Sequence, residues 1–182
     1  KKNVVQTGYR IIVSSTPGGN GDLWDTGDVK SDEQLWIPYA GKRLKSGQQC
    51  YWRVKVTTNK GETEWSDKGR QTAAEAARFS IGLLGETSWS GRWIGLERLM
   101  PGEERSQHSR LAARYLRKEF GTKKEVKRAT AYVAGLGLHY FYLNGKCYSS
   151  ALAPMPTDFR KTVLYNTYDI TGEIAAKNCA AI

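Results

Sequence analysis

Two histidines, three cysteines and eighteen carboxylates are the side chains in this sequence with the chemistry to move protons, attack carbon or hold a metal. Their spacing supports little of it. His108 falls in a polar stretch, RLMPGEERSQHS (98–109), and His139 in an alternating strand pattern. No serine sits in a nucleophile-elbow pattern. HExxH and CxxC motifs are absent. Cys50, Cys147 and Cys179 lack metal-ligand spacing, and any disulfide scheme leaves one of them over. Cys50 lies inside a strand pattern and reads as a core residue. The acid-rich run GDLWDTGD (21–28) lacks the order of acids and glycine that a Ca²⁺ loop requires; it reads as a strand between turn-forming aspartates. GLG at 135–137 is followed by no helical pattern, so it is no dinucleotide fingerprint. Glycoside hydrolysis needs two carboxyl groups facing across a cleft. Asp158 and Asp169 read more simply as a turn residue and a strand-end residue. Trp52, Arg53 and Trp65 suggest cation–π stacking, which is structural. Spacing alone therefore yields no catalytic centre.

The elements that would position any site are strands. TGYRIIVSS (7–15), LWDTGDV (23–29), EQLWIPYAG (33–41) and QCYWRVKVTT (49–58) alternate and are broken by turn residues. Pro38 demotes the tail of the third to an edge or a turn. In CYWRVKV, alternation predicts Trp52, Val54 and Val56 toward the core, and Tyr51, Arg53 and Lys55 away from it. Residues 1–76 thus form a small β-sandwich of the fibronectin type III or immunoglobulin kind. Residues 77–90 read as a linker, with a turn of helix possible at AAEAARF (73–79). Residues 91–182 make a second β-unit: a first strand in GRWIGLE (91–97), then strand patterns in ARYLRKEFGT, VKRATAYVAGLGLHYFYLNGK and TVLYNTYDIT. Asn144-Gly145 marks a type I′ hairpin, which needs positive φ at both central residues. KNCAAI at 177–182 begins another strand. The opening of the chain directly on a strand, and its close within one, give the expectation of a piece of a longer protein with an incomplete second unit.

Composition agrees with an all-β globular chain: 40% hydrophobic, 25% charged and 11% aromatic. No run of 18 apolar residues exists, so no membrane-spanning helix is expected. Net charge is +10. Residues 1–76 hold 12 basic against 9 acidic side chains, and residues 77–182 hold 16 against 9. Such an excess suits a nucleic acid or an acidic polysaccharide in principle. Scattered solubilising charge is the simpler reading, because the densest run, KKEVKR (123–128), contains a glutamate. No nucleic-acid partner is expected.

Ordered motifs add a resemblance. They are LWDTG, IPYAG, CYWRVKV, WS, GLL (82–84), RWIG (92–95), LRKEF (116–120), Asn144-Gly145-Lys146, Leu152-Ala153-Pro154, Thr157-Asp158-Phe159 and Tyr165-Asn-Thr-Tyr-Asp-Ile-Thr171. In this order they resemble the amino-terminal region of bacterial α-L-rhamnosidases, glycoside hydrolase family seventy-eight, over nearly the whole chain. The resemblance implies a fibronectin type III-like sandwich followed by a jelly-roll, galactose-binding-like sandwich. It places the catalytic (α/α)₆ barrel downstream, so this chain carries no catalytic residue. It implies removal of α-L-rhamnose from plant-type polysaccharides or glycosides by the parent enzyme, and a periplasmic or secreted location. The partners it implies are rhamnose-containing glycans and the barrel itself. Some members bind rhamnose on the second sandwich through Ca²⁺. The residues here that would serve such a site are Asn144, Asp158, Tyr140 and Tyr142, with Asp158 the calcium candidate. Asn144 and Asp158 also have turn-forming roles open to them. Where members carry Gly-Asp and Gly-Trp, this chain has Ser149-Ser150 and Met155-Pro156, which removes a hard cation ligand and a stacking platform. A free-standing carbohydrate-binding module and a fibronectin-type protein-interaction domain are the alternatives.

Overall fold

A computed structural model describes residues 3–68, 76–106, 111–149, 153–155 and 157–182. His108, Ser150, Leu152, Pro156 and residues 73–75 of the helical turn expected at 73–79 lie outside them; residues 76–79, which are described, form no helix, and Arg78 and Phe79 belong to a strand. Among the described residues there is no α-helix, all strand pairings are antiparallel, and there are two 3₁₀ turns. It divides into two compact units, Lys1–Ser90 and Gly91–Ile182.

In the first unit, β1 (Gln6–Ser14) pairs with β3 (Gln49–Thr58) through Tyr9↔Val56, Ile11↔Val54 and Val13↔Trp52. β2 (Trp24–Asp25) extends the sheet beyond β1. β4 (Gly61–Glu62) and β5 (Arg78–Ser80) share the far edge of β3. Ile12, Val13 and Cys50 are its buried apolar centre. Two of the sequence motifs meet here: the Tyr39 hydroxyl of IPYAG donates to the Leu23 (3.2 Å) and Lys42 (2.8 Å) carbonyls, and its ring meets Trp24 edge-on at 5.1 Å. Gly41 is needed at that closure, since a Cβ there would lie 2.5 Å from the Leu23 carbonyl oxygen.

Two expectations are corrected in this unit. Residues 78–80 of the expected linker are a strand, hydrogen-bonded to Gln49–Tyr51. Beyond them, Ile81 N–H donates to Gln48 O (2.9 Å) and Leu84 N–H to Ser46 Oγ (3.0 Å), so the segment lies along the sheet edge. Trp52 is 40% exposed, whereas the side chains of Arg53 and Lys55 are only 21% and 19% exposed. Alternation separates the two faces of a strand, but it does not say which face another element covers. Trp65, in the turn region after β4, covers the charged face: Arg53 Cζ stands 4.8 Å and Lys55 Nζ 5.7 Å from its ring centre. The aliphatic stems pack on the indole while the cations meet its π-face.

The second unit is built from two antiparallel sheets. One has the order β6-β11-β8-β9, from β6 (Arg117–Gly121), β11 (Lys177–Ala181), β8 (Tyr142–Leu143) and β9 (Lys146–Cys147). The other pairs β7 (Thr130–Ala134) with β10 (Tyr165–Asp169). Their inner faces meet at Phe141, Leu143 and Ile170, with Ala131, Val133, Tyr168 and Ala180 packed around them. Phe141 stacks on Tyr168 at 5.4 Å between ring centres. Ser149 Oγ, at a departure from the family pattern, accepts from Phe141 N–H (3.0 Å) and bonds the Tyr168 hydroxyl (3.1 Å); the residue is buried and structural.

GRWIGLE forms no strand, contrary to expectation; among the described residues nothing pairs with it, and Trp93 and Ile94 are exposed. The polar stretch after it is organised by a carboxylate. Glu103 takes a two-pronged bond from Arg114 (2.8 and 2.5 Å) and the backbone N–H groups of Met100 (2.7 Å) and Ala112 (2.8 Å). Arg114, foremost among these donors, holds the Glu103 carboxyl down at about 2.

Candidate functional site

The four residues singled out for sugar binding lie in the second unit, in three different settings. Tyr140 and Tyr142 share one exposed face, because Phe141 between them and Leu143 after them are buried in the core. Their ring centres are 6.5 Å apart and the planes are tilted by 52°. Cys147, across the hairpin from Tyr142, raises the Tyr142 phenol above its ordinary value through its thiol, with Tyr140 and Tyr115 adding to the effect.

Asn144 occupies the hairpin turn with φ 50°, and Gly145 follows at φ 86°, the positive pair that a type I′ turn requires. Its amide is engaged within the fold. Nδ2 donates to Glu173 O (2.7 Å) and Asn178 Oδ1 (3.1 Å), and Oδ1 accepts from Cys179 N–H (2.8 Å). Lys146 completes the clasp on the 3₁₀ turn Thr171–Glu173 by pairing with Glu173 at 2.5 Å.

Asp158 sits in a turn of its own. Its Oδ1 accepts from Arg160 N–H (3.2 Å) and Arg160 Nε (3.1 Å), and its carbonyl accepts from Lys161 and Thr162 (both 2.9 Å). No hydrogen bond or ion pair joins it to Asn144, Tyr140 or Tyr142. Calcium asks for several oxygen ligands, usually including more than one carboxylate. Among the described residues no three carboxylate, imidazole or thiol groups converge, and Asp158 faces a guanidinium. These residues do not fit a Ca²⁺ site.

His139 lies in the bridge His139↔Ala153, its ring so close to Gly135 that a Cβ there would stand 2.8 Å from Nδ1. Both ring nitrogens are buried without partners, and burial lowers its pKa.

Comparison with known proteins gives this architecture its family. A model of the Rha78A-like N-terminal immunoglobulin domain matches residues 1–85, and a model of the α-L-rhamnosidase N-terminal domain matches residues 124–182. An α-L-rhamnosidase of Alteromonas sp. (strain LOR) is 35% identical over 185 residues, covering 98% of this chain and 19% of that protein. One from Formosa agariphila is 32% identical, covering 93% and 19%. The solved α-L-rhamnosidase from Dictyoglumus thermophilum superimposes with a TM-score of 0.84 at 34% identity, over 100% of this chain and 21% of its own. The Aspergillus terreus enzyme, at 23% identity and a TM-score of 0.71, shares the fold. An immunoglobulin-type unit followed by a β-sandwich of this kind is the pair of N-terminal domains that the two family models describe. The chain belongs to the α-L-rhamnosidase family, in its N-terminal region. It spans about a fifth of the length of the relatives it matches.

Proposed function

We propose that this chain is the non-catalytic N-terminal part of a glycoside hydrolase that removes α-L-rhamnose from plant-type polysaccharides or glycosides. In this reading it supports a downstream catalytic barrel and works in the periplasm or outside the cell, where polymeric glycan is met. The observation that carries the reading is the match along the whole chain to a rhamnosidase at 34% identity and a TM-score of 0.84. The test is hydrolysis of an aryl α-L-rhamnoside. The isolated chain is expected to give none, and a longer protein carrying it to give turnover. Turnover by the chain alone overturns the reading.

The exposed Tyr140–Tyr142 face supports a second role, a carbohydrate contact, since flat exposed aromatics suit the apolar faces of sugar rings. Asn144 and Asp158 lend it less support, because both side chains are held by the fold. Titration calorimetry with rhamnose, repeated on Tyr140→Ala, tests this role. No heat at millimolar sugar removes it.

A further inference from the structure

Residues 122–128, TKKEVKR, connect β6 in one sheet to β7 in the other, and both ends are fixed. Thr122 donates its N–H to Ala176 O (3.1 Å) and its hydroxyl to Ala175 O (2.9 Å). At the other end Ala129 N–H donates to Thr171 Oγ1 (3.0 Å), and Ile170 N–H to Ala129 O (3.1 Å). Between these anchors Val126 is half-buried, while Lys123, Lys124, Glu125, Lys127 and Arg128 are exposed. Lys177, also exposed, lies across from Gly121 at the root of the loop. Five cations thus surround one carboxylate. Among the described residues no carboxylate pairs with Lys123, Lys124, Lys127 or Lys177, and the nearby Glu173 is already taken by Lys146.

Lys123 and Lys124 line an open depression of about 450 Å³ together with Glu125, Val126, Ile174, Ala175 and Ala176. Lys177 lines a second depression, of about 530 Å³, on the other side of Gly121. A fixed loop in which Lys123, Lys124 and Lys127 outnumber the single carboxylate of Glu125 creates a positive potential ready for a polyanion. The lining selects among polyanions. No aromatic lines the depression beside Lys123 and Lys124 to stack a base, as single-stranded nucleic acid would require. Val126, the loop's one large apolar residue, is half-buried in the wall of the depression and offers no exposed apolar anchor for a lipid surface. An open trough that sets Lys123 and Lys124 beside the apolar side chains of Val126 and Ile174 fits sugar rings that carry carboxylates.

We propose that residues 122–128 together with Lys177 form a docking site for an acidic polysaccharide, whose uronate carboxylates pair with Lys123, Lys124, Lys127 and Lys177. The choice of a polysaccharide rests on the rhamnosidase reading. The site is separate from the Tyr140–Tyr142 face, and it would hold a charged polymer while neutral rhamnose is removed elsewhere.

Binding of a fluorescent oligogalacturonate to the chain tests this, with three arms. The combined Lys123→Ser, Lys124→Ser, Lys127→Ser variant removes the loop charge. Lys30→Ser, Lys45→Ser, Lys60→Ser removes equal charge from exposed positions of the first unit. Unchanged melting temperatures establish that both variants fold. The expected result is salt-sensitive binding to oligogalacturonate, none to neutral dextran, and a loss of about tenfold or more in the loop variant against less than about twofold in the control. Equal losses in the two variants, or no binding at low salt, overturn the site. Equal affinity for duplex DNA or for phosphatidylglycerol vesicles overturns the ligand class. Hydrolysis of a neutral aryl rhamnoside by the longer protein does not need this site. Its failure sinks the family reading, while loss of polymer binding alone sinks only the docking site.

Discussion

Trp65 shows how one aromatic residue sets the environment of others. It covers Arg53 and Lys55, and Arg53 gains further contacts with Gly19 O (3.3 Å) and Asp67 (3.5 Å). Arg53 Nε is buried without a hydrogen-bond partner, so the indole face is its main compensation. Trp65→Ala is expected to cost about 1–2 kcal/mol, from two cation–π contacts and the stems they cover. Trp52→Ala, on the exposed side, is expected to cost less than Trp65→Ala. Urea denaturation of both variants checks the order, and a larger loss at Trp52 contradicts the assignment of faces. Asn144 is the second residue with a specific expectation. Asn144→Gly keeps the positive φ and removes three amide hydrogen bonds, at about 0.5–1.5 kcal/mol each. A loss of about 2 kcal/mol marks the amide as a structural cross-link, whereas a loss near zero returns Asn144 to the pool of ligand-binding residues.

At the scale of elements, legibility followed how local each determinant is. The Asn144-Gly145 hairpin was readable because the turn's demand falls on two adjacent residues. The alternation through Leu143 was readable because each residue reports its own face. Trp52 and Arg53 were not, because the covering group arrives from twelve or more positions away in sequence, from Trp65. RWIG read as a strand by composition, yet a strand exists only where another pairs with it. The bonds that hold Asn144 and Asp158 in place come from Cys179, Asn178, Glu173 and Arg160, and no local pattern announces them. The stretch around Glu103 looked like a plain polar loop because its clasp joins residues eleven apart. That clasp has a pH signature. The Glu103 carboxyl is depressed in the folded chain, so its contribution is complete above the ordinary glutamate value of 4.5 and fades as pH falls toward about 2. Glu103→Gln is therefore expected to lower the melting temperature near neutrality, and the gap to the parent is expected to close by about pH 2. A gap that stays constant with pH removes the ion pair as its cause.

For the molecule as a whole, the division into units rests on where the first sheet ends. A break after residue 76 would sever β5 from β3, together with the Ile81–Gln48 and Leu84–Ser46 bonds that continue the edge. It would expose the Gln49–Tyr51 edge beside fully buried Cys50, leaving strand donors and acceptors without partners. A polypeptide of residues 1–90 keeps all five strands. It is expected to unfold cooperatively and to keep the Cys50 thiol protected from modifying reagents. A polypeptide of residues 1–76 is expected to react at Cys50 and to lose its sharp transition, because the three ladder pairs that cover Gln49–Tyr51, and their continuation, are removed. Thermal denaturation and thiol titration of the two polypeptides decide the point. Equal protection of Cys50 in both would show that residues 77–90 connect the units without completing the first one.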